Sequence, residues 1–273
     1  NTGTTLTLNQ TGDTTYSGKI QGAGNFVKTG NGNLILNGMA GNIDLDEGVV
    51  VDDGTLTTTL ANVLAADQDI TVNTNGILHI KTGLQSIDTL TNSGIVNLDD
   101  DLIVRILTNV AATFNQQANI TSTDAIINGT WNVEGEGNVN YTRVLNTTTL
   151  SGDANVILKD YVNGSTTTSS NLKINQSGTS TFDGSIVGTG FVEKTGLGTL
   201  KISDAQTFTG GLNVTGGTFE ALSGGTLADT VAIHVSKDST FIAGAADTVG
   251  SVLVDDKGTG TNAGLFTLNA NIT

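Results

Sequence analysis

The sequence predicts an all-β chain, a right-handed parallel β-helix (solenoid) of short strands stacked coil upon coil. Three observations carry that reading. Apolar residues alternate with period two over runs of three to five residues, the pattern of half-buried strands. Glycine-containing corners separate these runs at intervals close to one solenoid coil. A segment near the start of the chain returns in its second half, at one constant offset and without a gap. Handedness follows from the rule for crossovers between parallel strands. An antiparallel sandwich is the alternative architecture for so many short strands.

In chain order the alternating pairs are Leu34 and Leu36, Ile43 and Leu45, Ile70 and Val72, Leu78 and Ile80, and Val96 and Leu98. They continue with Ile126 ahead of Trp131 and Val133, then Val156 and Leu158, Leu172 and Ile174, Leu200 and Ile202, and Leu212 and Val214. Leu265, with Phe266 and Leu268, closes the series. One stretch carries helix-type spacing (Leu102, Ile103, Ile106, Leu107, Val110), and without a cap it reads as at most one short helical insert.

Corners such as Asn31-Gly32, Asn75-Gly76, Ser93-Gly94, Asn128-Gly129, Ser151-Gly152, Gly216-Gly217 and Gly224-Gly225 supply residues that accept positive φ cheaply. From Gly76 through Gly94, Gly129, Gly152, Gly178, Gly198 and Gly217 the steps along the chain are about 18, 35, 23, 26, 20 and 19, the range of a solenoid coil. The long step hides a loop or two coils. At about 20 residues per coil and about 4.8 Å between stacked strands, the chain makes some 12 to 14 coils and a rod on the order of 60 Å.

Composition agrees and narrows the function. The 273 residues include 36 glycines but no proline and no cysteine. Proline would remove a ladder donor from a sheet paired on both sides. Without cysteine there is no disulfide scaffold, thiolate nucleophile, zinc ribbon or c-type haem site, and no cofactor is expected. Eleven Lys+Arg against 26 Asp+Glu give a charge of -15, which disfavours nucleic acid and anionic lipid. With 37% hydrophobic but only 4% aromatic residues, the core must be built from Val, Ile, Leu and Ala. No run approaches the roughly 18 apolar residues of a membrane span, so direct membrane insertion is not expected. The chain begins and ends inside strand-like text, which reads as a fragment of a longer protein with its targeting elements elsewhere.

The internal repeat pairs Thr15-Tyr-Ser-Gly-Lys-Ile-Gln-Gly-Ala-Gly through Lys28-Thr-Gly-Asn-Gly-Asn-Leu-Ile-Leu36 with Thr181-Phe-Asp-Gly-Ser-Ile-Val-Gly-Thr-Gly through Lys194-Thr-Gly-Leu-Gly-Thr-Leu-Lys-Ile202, ten identities in 22 positions. Each copy continues into a further strand, read as Asn42-Ile-Asp-Leu-Asp-Glu-Gly48 in the first and Gly211-Leu-Asn-Val-Thr-Gly-Gly217 in the second. The spacers before them differ by three residues, as a surface loop tolerates.

The stretch Gly188 to Phe219, with Lys194-Thr-Gly-Leu-Gly-Thr-Leu, Phe208-Thr-Gly-Gly and Gly216-Gly-Thr-Phe219, resembles the passenger-associated strand repeat of bacterial autotransporters (type V secretion). Gln21 to Val50 resembles a degraded copy in which Asn37-Gly-Met-Ala40 replaces the longer spacer and the aromatic-Thr-Gly-Gly turn is missing. The copies, at about 15–50 and 181–220, lie within one β-helical segment spanning 1–273. The resemblance implies a secreted passenger, threaded through an outer-membrane barrel not present in this segment and displayed on a bacterial cell surface, often in virulence.

Few residues carry chemistry. Asp52-Asp53, Asp99-Asp100-Asp101 and Asp255-Asp256 could ligate Ca²⁺ or serve as paired acid and base on polysaccharide. The preferred reading is solvated turns, where Asp bonds local backbone. Arg105 follows Asp101 closely, while Arg143 and Lys159 are scattered, and a surface ion pair is preferred to a lyase role. His79 and His234 stand opposite aliphatic neighbours, hence outward, each without a ligand partner in sequence. Gly22-x-Gly24, Gly135-x-Gly137 and Gly258-x-Gly260 precede no helix and read as corners, not phosphate loops. Tyr16, Trp131, Phe182, Phe208 and Phe219 fall in strand text and read as core or aromatic ladder. Sequons such as Asn119, Asn128, Asn146 and Asn213 follow from composition. No catalytic, cofactor or metal residue is assigned, and the chain is not expected to be an enzyme.

The expectation is therefore an adhesin or self-association (aggregation, biofilm) stalk. Its outward Thr and Asn ladders would meet a host cell-surface or matrix ligand, or a second molecule of the same kind. The alternatives are a polysaccharide-acting β-helix enzyme using Asp99 to Asp101, and a toxin passenger.

Overall fold

The computed structural model describes residues 3–134, 141–163, 166–244, 246–255 and 264–268, and among these it is all-β, with strands and turns but no helix. Strands one coil apart pair in parallel, which makes the architecture a parallel β-solenoid. The chain divides into two compact units, Asn1–Thr123 and Asp124–Thr273.

In the first unit an inward column runs Leu6, Phe26, Val49, Ile70, Leu90, Leu107, one residue from each successive coil. A second face stacks Leu34, Leu56, Leu78, Val96 and Phe114. From Phe26 and Leu34 onward these side chains are buried, so successive coils share one apolar interior. The long interval between Gly94 and Gly129 holds an extra coil. Ile95–Leu98 pairs with Thr113–Gln116, and the turn before it uses Ala111 at φ 48° in place of glycine.

In the second unit Leu145, Ile174, Lys194, Val214, Val235 and Val254 form an inward column, the counterpart of Leu8, Lys28, Val51 and Val72 in the first. Another face stacks Leu200, Phe219, Phe241 and Phe266. Ring centroids there lie 5.9 Å (Phe219 to Phe241) and 5.1 Å (Phe241 to Phe266) apart, nearly parallel. Aromatics are scarce but placed inward: Trp131, Phe26, Phe114, Phe182, Phe208, Phe219 and Phe241 are buried. One antiparallel pair, Tyr161–Asn163 with Thr166–Thr168, departs from the parallel pattern among the described residues.

Three expectations are corrected. Leu102 to Val110 is no helix but part of the strand Leu102–Gln116. Leu102, Val104, Leu107 and Asn109 point inward, and the slip between Val104 and Leu107, with Arg105 and Ile106 both outward, imitates helical spacing. In the strand Ile120–Val133 the inward residue is Ile127, while Ile126 is exposed.

The third correction concerns the repeat. Lys28 pairs with Val51 and Lys194 with Val214, so the counterpart of Leu212–Val214 is Val49-Val-Val51, not Ile43–Leu45. The offset that takes Lys28 to Lys194 therefore shortens to the one that takes Val51 to Val214. The first copy has the longer spacer, holding the strand Ile43–Leu45. The match then includes Gly48 with Gly211, Val51 with Val214, Gly54 with Gly217 and Thr55 with Thr218. It also extends upstream, to Asn9 with Asn175, Gln10 with Gln176 and Gly12 with Gly178.

Gly54 and Gly217, the equivalent turn residues of these coils, sit at φ 68° and 63°. A Cβ there would lie 2.4 Å from the Gly30 carbonyl oxygen or 2.3 Å from that of Gly198. Gly217→Ala should cost about 1–3 kcal/mol through strain and backbone clash. Gly12→Ala, with nothing in reach of the new methyl, should be close to neutral. Urea unfolding midpoints check both.

Candidate functional site

Among the described residues, two fully buried ammonium groups sit at the Lys-Thr-Gly-x-Gly corners. Lys28 lies two residues after the inward Phe26, and Lys194 two after Val192, so strand alternation sends both ammonium groups into the interior. Both side chains are fully buried. Lys28 Nζ donates to the carbonyls of Thr29 (3.2 Å), Gly30 (2.6 Å) and, one coil on, Asp53 (2.8 Å). Lys194 Nζ shares its protons among the carbonyls of Thr195 (2.7 Å), Gly196 (3.1 Å), Gly198 (3.0 Å) and, one coil on, Gly216 (3.2 Å). Gly30 and Gly196 have φ 75° and 77°, which turns their carbonyls toward the lysine.

Glutamine serves the same purpose a coil earlier. Gln10 Nε2 donates to the carbonyls of Gly12 and Asn33, and Gln176 Nε2 to those of Gly178 and Thr199, equivalent acceptors in the two copies of the repeat. Neither lysine bonds a carboxylate side chain among these contacts. Burial pushes Lys194 down from its usual 10.5 to about 8. It lowers Lys28 too, against a partly offsetting pull from Asp53. Composition predicts aliphatic stacks inside and gives no hint of these lysines. The signal available in the sequence is parity, since each shares the face of its buried neighbour.

The acidic clusters are engaged in turns and between coils. Asp100 accepts the amides of Gly83 (2.8 Å) and Asp101 (2.8 Å), and Asp101 accepts that of Asn119 (2.8 Å). Asp53 accepts the Gly54 amide (2.9 Å), and Asp52 accepts Asn73 Nδ2 (2.8 Å). Asp256, Gly135-x-Gly137 and Gly258-x-Gly260 lie outside the described residues. Arg105 forks onto Asp88 (2.5 and 2.7 Å), one coil back, and holds that carboxyl below the usual range through its hydrogen bonds. Arg143 Nε donates to the Glu134 carbonyl (2.8 Å), and Lys159 pairs with the Glu134 side chain (2.5 Å).

Both histidines point outward and are half-buried, and each meets an Asp that sequence spacing could not assign. His79 Nε2 is 2.7 Å from Asp99, and His234 Nε2 is 2.8 Å from Asp255. The two pairs share one geometry. His79 stacks on Asn97 and His234 on Leu253, and the Asp lies two residues further along each receiving strand. Trp131, Phe182, Phe208 and Phe219 are core, while Tyr16 Oη donates to the Lys19 carbonyl. Gly22 and Gly24 are corner residues, Gly24 lying against the Thr4 carbonyl.

Outward polar residues form ladders between coils. Asn115 donates to Asn97 (2.7 Å), Thr57 to Asn33 (2.9 Å), Thr89 to Asp69 (2.6 Å), Asn175 to Asn146 (2.8 Å) and Thr215 to Glu193 (2.8 Å). Lys173–Glu193 (3.5 Å) and Lys201–Glu220 (3.1 Å) do so through charge. The ladders therefore first join coil to coil, and what remains for a partner is the outward surface between their bonds.

Among the described residues no three His, Asp or Glu side chains gather as metal ligands, and no helix is long and apolar enough to cross a membrane. No family model matches the chain, and no curated protein or solved structure matches it.

The lysine corners predict a pH dependence. Between about 8 and 10.5 the unfolded chain holds a proton on residue 194 that the folded chain has lost. Stability should therefore rise with pH across that window, and the gain should be lost as pH falls through about 8. Comparing urea midpoints through that window, the rise should be smaller in Lys194→Met, the remainder coming from Lys28, whose burial lowers it in the same direction.

Proposed function

We propose that this chain is part of a displayed bacterial surface stalk of autotransporter passenger type, acting through its outward faces in adhesion or self-association. The observation that carries this reading is how the chemistry-bearing residues are used. His79, His234, Arg105 and Asp99 to Asp101 all bond to neighbouring coils or turn amides. In the first unit the outward positions between these bonds include a stacked column of Thr and Val, Thr7, Val27, Val50, Thr71, Thr91 and Thr108.

The Lys-Thr-Gly-x-Gly corner supports the passenger part of the proposal. It is the portion of the sequence that resembles the strand repeat of that class, and it occurs twice with equivalent bonds. Coils stapled by backbone carbonyls and amides need no disulfide and no proline isomerisation, which suits a chain exported unfolded and folded coil by coil.

The test is a paired settling and adherence assay on bacteria displaying a passenger with and without residues 1–273, at surface levels matched by antibody. Loss of either phenotype at equal display is the expected outcome. Survival of both would make this segment a spacer and overturn the proposal.

A further inference from the structure

The outward columns differ between the two units in a way that folding does not require. In the first unit the outward partners in register are Thr7, Val27, Val50, Thr71, Thr91 and Thr108. Six successive coils place a β-branched, uncharged side chain at one outward position. The corresponding column of the second unit reads Val144, Lys173, Glu193, Asn213, His234 and Leu253. Under the repeat alignment, Val27 corresponds to Glu193 and Val50 to Asn213.

The backbone position therefore accepts Glu and Asn while leaving its corner intact. The neutral, β-branched run in the first unit is then a property of the surface. A lone apolar residue facing water needs no explanation, but a continuous ladder does. Flanking columns hold Asp69, which accepts a bond from Thr89 Oγ1 (2.6 Å), and Asp52, which accepts one from Asn73 Nδ2 (2.8 Å). Both carboxylates are thus tied to their own neighbours.

We propose that this Thr/Val ladder is the contact surface for a second copy of the same chain, which rests on the self-association branch of the proposed function and names its face. Two arguments select a second copy. Charge is the first: a chain of net charge -15 repels its twin wherever carboxylates face each other, and this ladder sets no carboxylate of its own against a second copy, the nearest, Asp52 and Asp69, standing in the columns beside it. Periodicity is the second: the side chains repeat at the strand spacing of about 4.8 Å, so an identical ladder is commensurate with it along its whole length. A twofold pairing lets the same residues contact one another from both sides. A ladder of six coils spans about 24 Å, giving a small interface that gains strength from multiplicity on a cell surface.

The experiment is sedimentation velocity of the purified chain over a concentration series, beside Val27→Glu/Thr91→Glu and a control, Asn213→Glu, in the equivalent column of the second unit. Native Glu193 at the position matching Val27 supports folding of Val27→Glu, and far-UV circular dichroism checks the double variant. The expected result is concentration-dependent dimerisation of the wild type and of Asn213→Glu, lost in the double variant. Dimerisation that survives Val27→Glu/Thr91→Glu would overturn the ladder as the contact face while leaving self-association standing. A wild type that remains monomeric throughout the series would overturn both. Single Val27→Glu provides a second reading should the double variant misfold, with a reduced dimer fraction expected and an unchanged one counting against the proposal.

Discussion

A lysine ammonium enclosed by backbone carbonyls sets the terms for the rest of this solenoid. Each corner turns the chain within a few residues, leaving peptide groups at the margin of the core that neither sheet can pair. Buried backbone acceptors without donors are costly, so a corner needs a donor reaching in from a side chain. Lys28 and Lys194 answer with three protons each. The donor also crosses the coil boundary, because one acceptor, the carbonyl of Asp53 or Gly216, belongs to the next coil. One side chain thus serves both the corner and the stacking of the next coil.

Amides take over where lysine is absent, in two opposite directions. Gln10 and Gln176, like the lysines, bind their own corner and reach forward to the next coil. Asn92 also reaches forward, donating to Asn109 Oδ1 and the Thr113 carbonyl, while its own Oδ1 accepts the Gly94 amide. Gln68, Gln85 and Gln206 reach back, bonding Leu45, Leu60 and Gly184 of the preceding coil. Each staple is a modest net contribution, since folding exchanges water's hydrogen bonds for these. Leaving the carbonyls orphaned would cost more than the bonds gain, so the staples act as conditions for stacking as much as sources of stability.

The sequence made the coil legible and the site illegible, for one reason. Alternation, glycine corners and the internal repeat are local or constant-offset signals, and they survive as strands, turns and equivalent corners. Contacts between coils depend on register, and register depends on how many residues each loop consumes. The spacer after Leu36 is three residues longer than the one after Ile202, and the matching strand is Val49–Val51 accordingly. His79 with Asp99 and Arg105 with Asp88 likewise required knowing which residues stack. Parity would have found Lys28, because a residue two beyond Phe26 shares its face. Hydrophobicity argued the other way, and the carbonyl ring that makes a buried lysine tolerable is invisible until the corner is folded.

Inward and outward positions answer to different constraints, and the repeat separates them. Between its two copies the corner keeps its glutamine, lysine and glycines, while Val27 becomes Glu193 and Val50 becomes Asn213. A small core volume change is felt by every neighbour in a close-packed stack, but an outward residue answers mainly to what it meets in solvent. Outward columns are therefore where this architecture can acquire different surfaces without changing its fold. The first unit has kept one such column β-branched and neutral through six coils, while the second has given it charge. Two surfaces of different chemistry thus stand on one kind of scaffold, and along the uncharged one an acidic molecule sets no carboxylate of that column against another like itself.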